Sequence, residues 1–307
     1  MKPDLQLKRR LDALYTQGAR RTRAADDPVD FVHRFRRLED VEVAALIAAA
    51  FSYGRVGLFK PVVARVLAAL GPSPHGALIS FDPVSVRSRL AGVSYRFNRT
   101  DDIAAFLALL SQTIYRHGSL GGAFFDRPGS VEGRNFDRRD KAKEALAHFR
   151  AEIFSGSTAM VYGRDLRPNG LTQLLHDTST GSAAKRMYMF LRWMVRRDAV
   201  DPGPWAAFGA ENLVMPLDTH VARIARNLGL TRRKTADYRM AVEITDALRR
   251  LDPAAPVKYD FALAHLGISG ACPSRPSADA CARCALRPHC RPKVRGRRAA
   301  RRRGPRS

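Results

Sequence analysis

Long apolar runs are missing from this chain of 307 residues. No window approaches the roughly 18 consecutive apolar residues of a membrane span. The N-terminus, MKPDLQLKRR, offers no apolar stretch for a secretory signal. Both absences point to a cytoplasmic protein with no membrane partner. Acid is scarce as well: 29 Asp and Glu stand against 53 Lys and Arg, for a formal charge of +24. Lysine is rarer still, with nine against 44 arginines, a bias that an Ala-rich chain shares with its base composition, so only the sign and size of the charge inform. Eight basic residues and no acid lie between Lys293 and Ser307, which leaves +16 (24 − 8) on the rest of the chain. That surplus calls for a polyanion, most simply nucleic acid.

Cysteine is absent from the first 271 residues, and the four that exist, Cys272, Cys281, Cys284 and Cys290, follow C-x8-C-x2-C-x5-C. In a reducing compartment, clustered thiols bind metal more often than they form disulfides. Structural zinc favours two short knuckles, and only Cys281–Cys284 makes one. The longer arms suit one loop around a [4Fe–4S] cluster, with zinc as the alternative.

Strand signals are few, and helical periodicity dominates. Helices are expected at Leu7–Tyr15, Asp40–Phe51, Leu58–Leu70, Asp101–His117 and Lys141–Phe154. A short one follows at Leu171–Leu175, then a longer one through AAKRMYMFLRWMVRR, and others beginning near Asp218, Arg232 and Val257. The stretch from Gly118 to Arg139 is expected to be a long loop, and the tail from Pro292 to be disordered.

Two segments carry chemistry. In HDTSTGSAAKR, Thr178, Ser179, Thr180, Gly181 and Ser182 precede a helix whose N–H groups suit a phosphate oxygen. Ser179 or Thr180 is placed to cap it. Lys185, Arg192 and Arg196, spaced i, i+7, i+11, form one basic stripe opposite Met187, Phe190, Leu191 and Met194. In PLDTHVARIARNLGL, Val221, Ile224, Ala225 and Leu228 define a helix that Asp218 begins. Asp218 is either an ordinary N-cap or a carboxylate held ionised at the positive helix end, where it can support glycosidic cleavage.

A turn between helices, an LDTHV helix start and a C-terminal four-cysteine loop, in that order, resemble the helix-hairpin-helix DNA glycosylases of the endonuclease III type. That family's cluster spacing is C-x6-C-x2-C-x5-C, and here the first interval is two residues longer. His265-Leu266-Gly267 is similar to the helix leading into its cluster. The resemblance covers roughly 41–290 and is specific over Gly181–Leu230 and His265–Cys290. Segments such as EVAALIAAAFSYGR and SAAKRMYMFLRWMVRRD look more like a bacterial family of unknown function at the edge of that superfamily.

The resemblance implies a catalytic role for Asp218 and a structural [4Fe–4S] cluster that presents Arg283 and Arg287 to phosphate. Glycosylase hairpins read LPGVGxK or LPGVGxS, the Lys forming a Schiff base in enzymes that also nick. Aligned on hydrophobics, this chain puts Ser182 at that position, one turn before Lys185, so a plain glycosylase is expected over a lyase. Tyr53 and Arg55, at the Gly54 break, fall where the family inserts a side chain into the duplex. The expected architecture is all-α, with two interleaved domains. A helical barrel spans 38–205, with the hairpin at 171–197. The N-terminal helix (1–37) packs with the cluster domain (206–291), and a basic tail (292–307) follows. The expected function is base release from duplex DNA by a nucleoid-associated monomer. A non-catalytic nucleic-acid-binding protein and an RNA-directed one are the alternatives.

Overall fold

The computed structural model describes residues 4–21, 27–126, 140–275 and 277–291. These residues are mostly helical and contain no strand. Among them no helix is long and apolar enough to cross a membrane.

Helix Leu38–Phe51 is buried from Asp40 to Phe51. It is alanine-rich, so neighbours approach it from all sides: the 3-10 turn Pro28–Arg34 and the helices Val56–Leu70, Pro74–Ile79, Leu120–Phe125 and Lys185–Val195. Its two buried carboxylates are both satisfied. Asp40 accepts from Ser73 Oγ (3.0 Å) and the His75 N–H (2.9 Å). Glu42 accepts from Trp205 Nε1 (2.7 Å) and the Gly121 N–H (2.9 Å), while burial pushes its carboxyl above the usual range. Trp205 in turn stacks on Phe124 at 4.6 Å, within an aromatic cluster that includes Phe149 and Phe190.

Lys141–Phe154 forms with the expected bounds, and Thr100–His117 begins one residue early, Asp102 accepting from the Arg99 N–H at 2.9 Å. The expected loop after Gly118 instead contains a helix, Leu120–Phe125, capped by Ser119 through the Gly122 N–H at 2.9 Å. Residues 127–139 and the basic tail from 292 lie outside the described residues. The helix expected near Arg232 starts at Tyr238, where Asp237 accepts from the Met240 N–H at 2.8 Å.

The N-terminal helix Leu5–Arg21 packs on Pro256–Tyr259 and Asp260–Ile268. Arg10 reaches across to donate to the Ala285 carbonyl (2.8 Å), and Tyr259 donates to Asp12 (2.9 Å). One end of the chain is therefore stapled to the cysteine loop at the other.

The hairpin departs from expectation. Its first helix, Asn169–Thr172, is a single turn, and the second starts at Lys185. Ser179 and Thr180 do not cap that helix, whose N-cap is Ala184 in the left-handed region (φ 38°) with no side-chain cap. They organise the turn itself. Asp177 accepts from the Ser179 N–H (2.9 Å) and Oγ (2.6 Å), and Thr180 Oγ1 accepts from the Ser182 N–H (3.3 Å). Gly181 accepts from the Tyr238 N–H at 3.0 Å, and Ser182 bridges to Asp237.

Candidate functional site

A cleft of about 1080 Å³ opens between these elements. It is at the large end for a small-molecule site, typically about 300–1,000 Å³. Several helix beginnings contribute to its wall: Arg55-Val56, Ala184–Arg186, Asp218–His220 and Asp260-Phe261. Convergent positive helix ends favour negative charge in the space they enclose.

Asp218 is the N-cap of helix Thr219–Asn227, its Oδ1 accepting from the Val221 N–H at 2.8 Å. Its other oxygen accepts from Lys185 Nζ at 3.0 Å. Burial alone pushes this carboxyl up. The Lys185 ammonium, the Val221 N–H and His220 outweigh that, so Asp218 stays ionised below the usual carboxylate range. Asp218 is thus both a cap and a wall of the cleft. Ser182 also lines it, but its Oγ accepts from the Ala184 N–H (3.3 Å). Lys185, which sequence alignment set one turn away, is the side chain that meets Asp218. The left-handed residue Ala184 reorients the chain between the two.

The basic stripe is not a surface. Helix Lys185–Val195 is buried from Arg186 onward, and Arg192 and Arg196 are 4% and 6% exposed. Arg192 binds Asp260 and Asp201 (3.1 Å), and Arg196 binds Asp198 and Asp201 (3.0 Å). Both are ion-paired in the core rather than displayed to solvent, although Arg192 also touches the cleft wall. Thr178 is also withdrawn, 1% exposed with its hydroxyl donating to the Lys143 carbonyl at 2.9 Å. Ser179, Thr180 and Gly181 remain exposed at the turn.

Tyr53 lines the cleft, but it is held in place. Its hydroxyl donates to Asn98 Oδ1, and the Arg186 guanidinium covers its ring at 4.7 Å. It has no freedom to swing into a duplex. Arg55 is exposed on the same wall. An exposed aromatic, Phe97 (62%), lies on the Tyr95–Asn98 turn that Tyr95 Oη joins to the Tyr53 carbonyl. No periodicity marks it in sequence. Sequence reasoning also missed Asp260, His176 and Arg186, which the fold brings to the cleft from distant segments.

All four cysteines line one small cavity with Asn227, and among the described residues neither a carboxylate nor an imidazole joins them there. Burial, then the charges of Cys272, Cys284 and Cys281, push the Cys290 thiol up to about 11. Four sulfurs facing one cavity are the soft donor set that a zinc ion or an iron–sulfur cluster takes. Among the described residues, however, no three metal-ligating side chains are grouped tightly enough for a single ion. The loop is anchored by Arg223 donating to the Cys272 carbonyl and by the Arg291 N–H donating to the Asn227 carbonyl (2.7 Å). Arg283 and Arg287 are exposed, and Arg287 also donates to the Cys290 carbonyl at 3.1 Å.

No curated protein and no solved structure matched the chain. A family model does match, over residues 27–269, a stretch that holds Lys185 and Asp218 and ends before Cys272. The chain therefore belongs to DUF2400, a family of proteins of unknown function.

Proposed function

We propose that this protein is a DNA N-glycosylase-like enzyme acting on a damaged or mispaired base in duplex DNA. The observation that carries this is the 3.0 Å contact between Lys185 Nζ and Asp218 Oδ2 on the wall of the cleft. An ionised carboxylate there supports positive charge on a sugar as the base departs. The amine beside it is a nucleophile once it gives up a proton. Lys185 then attacks the sugar carbon as the base–sugar bond breaks, the base leaving with the electron pair. This favours Lys185 over Ser182 as the group that meets the sugar, so strand nicking accompanies base release.

The thiol-only cavity suits a [4Fe–4S] cluster better than zinc. Its lining offers four sulfurs and no imidazole or carboxylate, and the x8 and x5 arms around Cys281–Cys284 suit one loop wrapped around a cluster. The group would be structural, fixing the loop that displays Arg283 and Arg287.

Incubation with a panel of lesion-bearing duplexes is expected to release a free base. Asp218→Asn should abolish release and leave affinity within about twofold, since a neutral isostere preserves the cap. Borohydride should trap a covalent adduct on abasic DNA that Lys185→Ala loses. Base release undiminished in Asp218→Asn would remove Asp218 from the mechanism, and an adduct surviving Lys185→Ala would remove Lys185. Iron and acid-labile sulfide in anaerobically purified protein test the cluster, and a single zinc would overturn it.

One observation favours a second function, nucleic-acid binding without catalysis. The turn at 177–182 satisfies two of its own N–H groups, through Asp177 and Thr180, where a phosphate-gripping hairpin presents them outward. Such a protein would bind duplex or RNA and yield no product on any substrate.

A further inference from the structure

The Arg186 guanidinium is 6% exposed and has no carboxylate partner among its hydrogen bonds. It donates to the Ala50 and Gln173 carbonyls and, at 2.8 Å, to Nδ1 of His176. A guanidinium only donates, so His176 Nδ1 must be a bare acceptor. The one ring proton of the neutral imidazole therefore sits on Nε2. Burial, then Arg186 and Arg150, lower the His176 pKa to about 4, so the ring stays neutral.

The Nε2–H meets no acceptor among the described residues and is not sealed in the core. His176 itself lines the cleft, together with Tyr53 and Lys185. The carboxylates on the same wall are engaged elsewhere: Asp218 by Lys185 and Val221, Asp260 by Arg192, Asp27 by the Val29 N–H.

We infer that His176 reads the extruded nucleobase, its fixed N–H donor selecting a carbonyl oxygen over an exocyclic amine. The substrate class is then deaminated bases, which carry a carbonyl where the parent base carries an amine. Arg186 is the positioning residue, setting the tautomer and orienting the ring. This rests on the glycosylase assignment above.

The test uses full-length protein and three duplexes, with binding followed by fluorescence anisotropy. Two carry an uncleavable 2′-fluoro nucleotide opposite guanine, uracil in one and cytosine in the other, which differ at the base by a carbonyl for the exocyclic amine and by the N3 proton that accompanies it. The third carries a tetrahydrofuran abasic analogue with no base to read. Comparing wild type with His176→Phe cancels the cost of opening the two different pairs. The uracil-over-cytosine preference should fall about tenfold in His176→Phe, the size of one base contact, with tetrahydrofuran affinity unchanged. His176→Gln, which keeps an N–H donor, should recover part of the preference. A preference unchanged in His176→Phe overturns the role of His176 while the glycosylase assignment stands. Wild-type protein that binds tetrahydrofuran no better than intact duplex overturns both.

Discussion

At the scale of the residue, Arg192 and Arg196 show how position decides what a charge does. Two guanidinium groups face the three carboxylates of Asp198, Asp201 and Asp260 in the core. Burial, with Asp198 adding repulsion, pushes Asp201 up to about 6 against the pull of both arginines. Removing one member of such a network strands the rest. Arg192→Met should therefore lower the unfolding free energy by about 3–5 kcal/mol in denaturant titrations. It should leave the salt dependence of DNA binding unchanged; a shallower salt slope would return Arg192 to the interface.

His176 makes a prediction of opposite character. Its folded pKa, about 4, lies below the ordinary 6.5, so between these values the unfolded chain binds more protons than the folded one. Stability is then complete above pH 6.5 and declines as pH falls toward 4. His176→Gln should flatten that part of the melting-temperature profile. Parallel profiles for the two proteins would mean that the ring is not held neutral.

At the scale of the element, Gly267 sets how closely helices Thr219–Asn227 and Asp260–Ile268 approach. A Cβ there would lie 2.5 Å from both Cβ and Nδ1 of His220, closer than atoms tolerate. Gly267→Ala should cost about 1–3 kcal/mol through overpacking and displace the helix that Asp218 begins. Calorimetry paired with a base-release assay reads both effects, and a variant with wild-type stability and activity would show the contact to be slack.

Elements with a regular pattern were legible: the apolar run at 40–51 is buried, and Asp218 is a cap. The hairpin was not, because its geometry comes from local bonds among Asp177, Ser179 and Thr180 and from one left-handed alanine. Neither feature leaves a periodic trace. The buried face of Lys185–Val195 was misjudged for a related reason. Spacing locates a stripe on a helix but says nothing of carboxylates arriving from 198, 201 and 260.

At the scale of the molecule, the charge of +24 should dominate affinity for polyanions. Log affinity for duplex DNA should fall linearly with log salt, with a slope of about −0.9 for each phosphate contacted. Deleting residues 292–307, with eight basic residues, should reduce that slope and leave the preference for an abasic site over intact duplex unchanged. A salt-independent affinity would dismiss nucleic acid as the partner.

The sequence by itself determined the helical class, the strongly positive net charge and the confinement of every thiol to one short loop, since composition and short-range periodicity act along the chain. Only the tertiary structure decided which charges face solvent, that Lys185 rather than Ser182 meets Asp218, and that His176 is left with one free donor. Those outcomes depend on groups far apart in sequence, and burial and hydrogen bonding assign their roles only after the chain has closed around them.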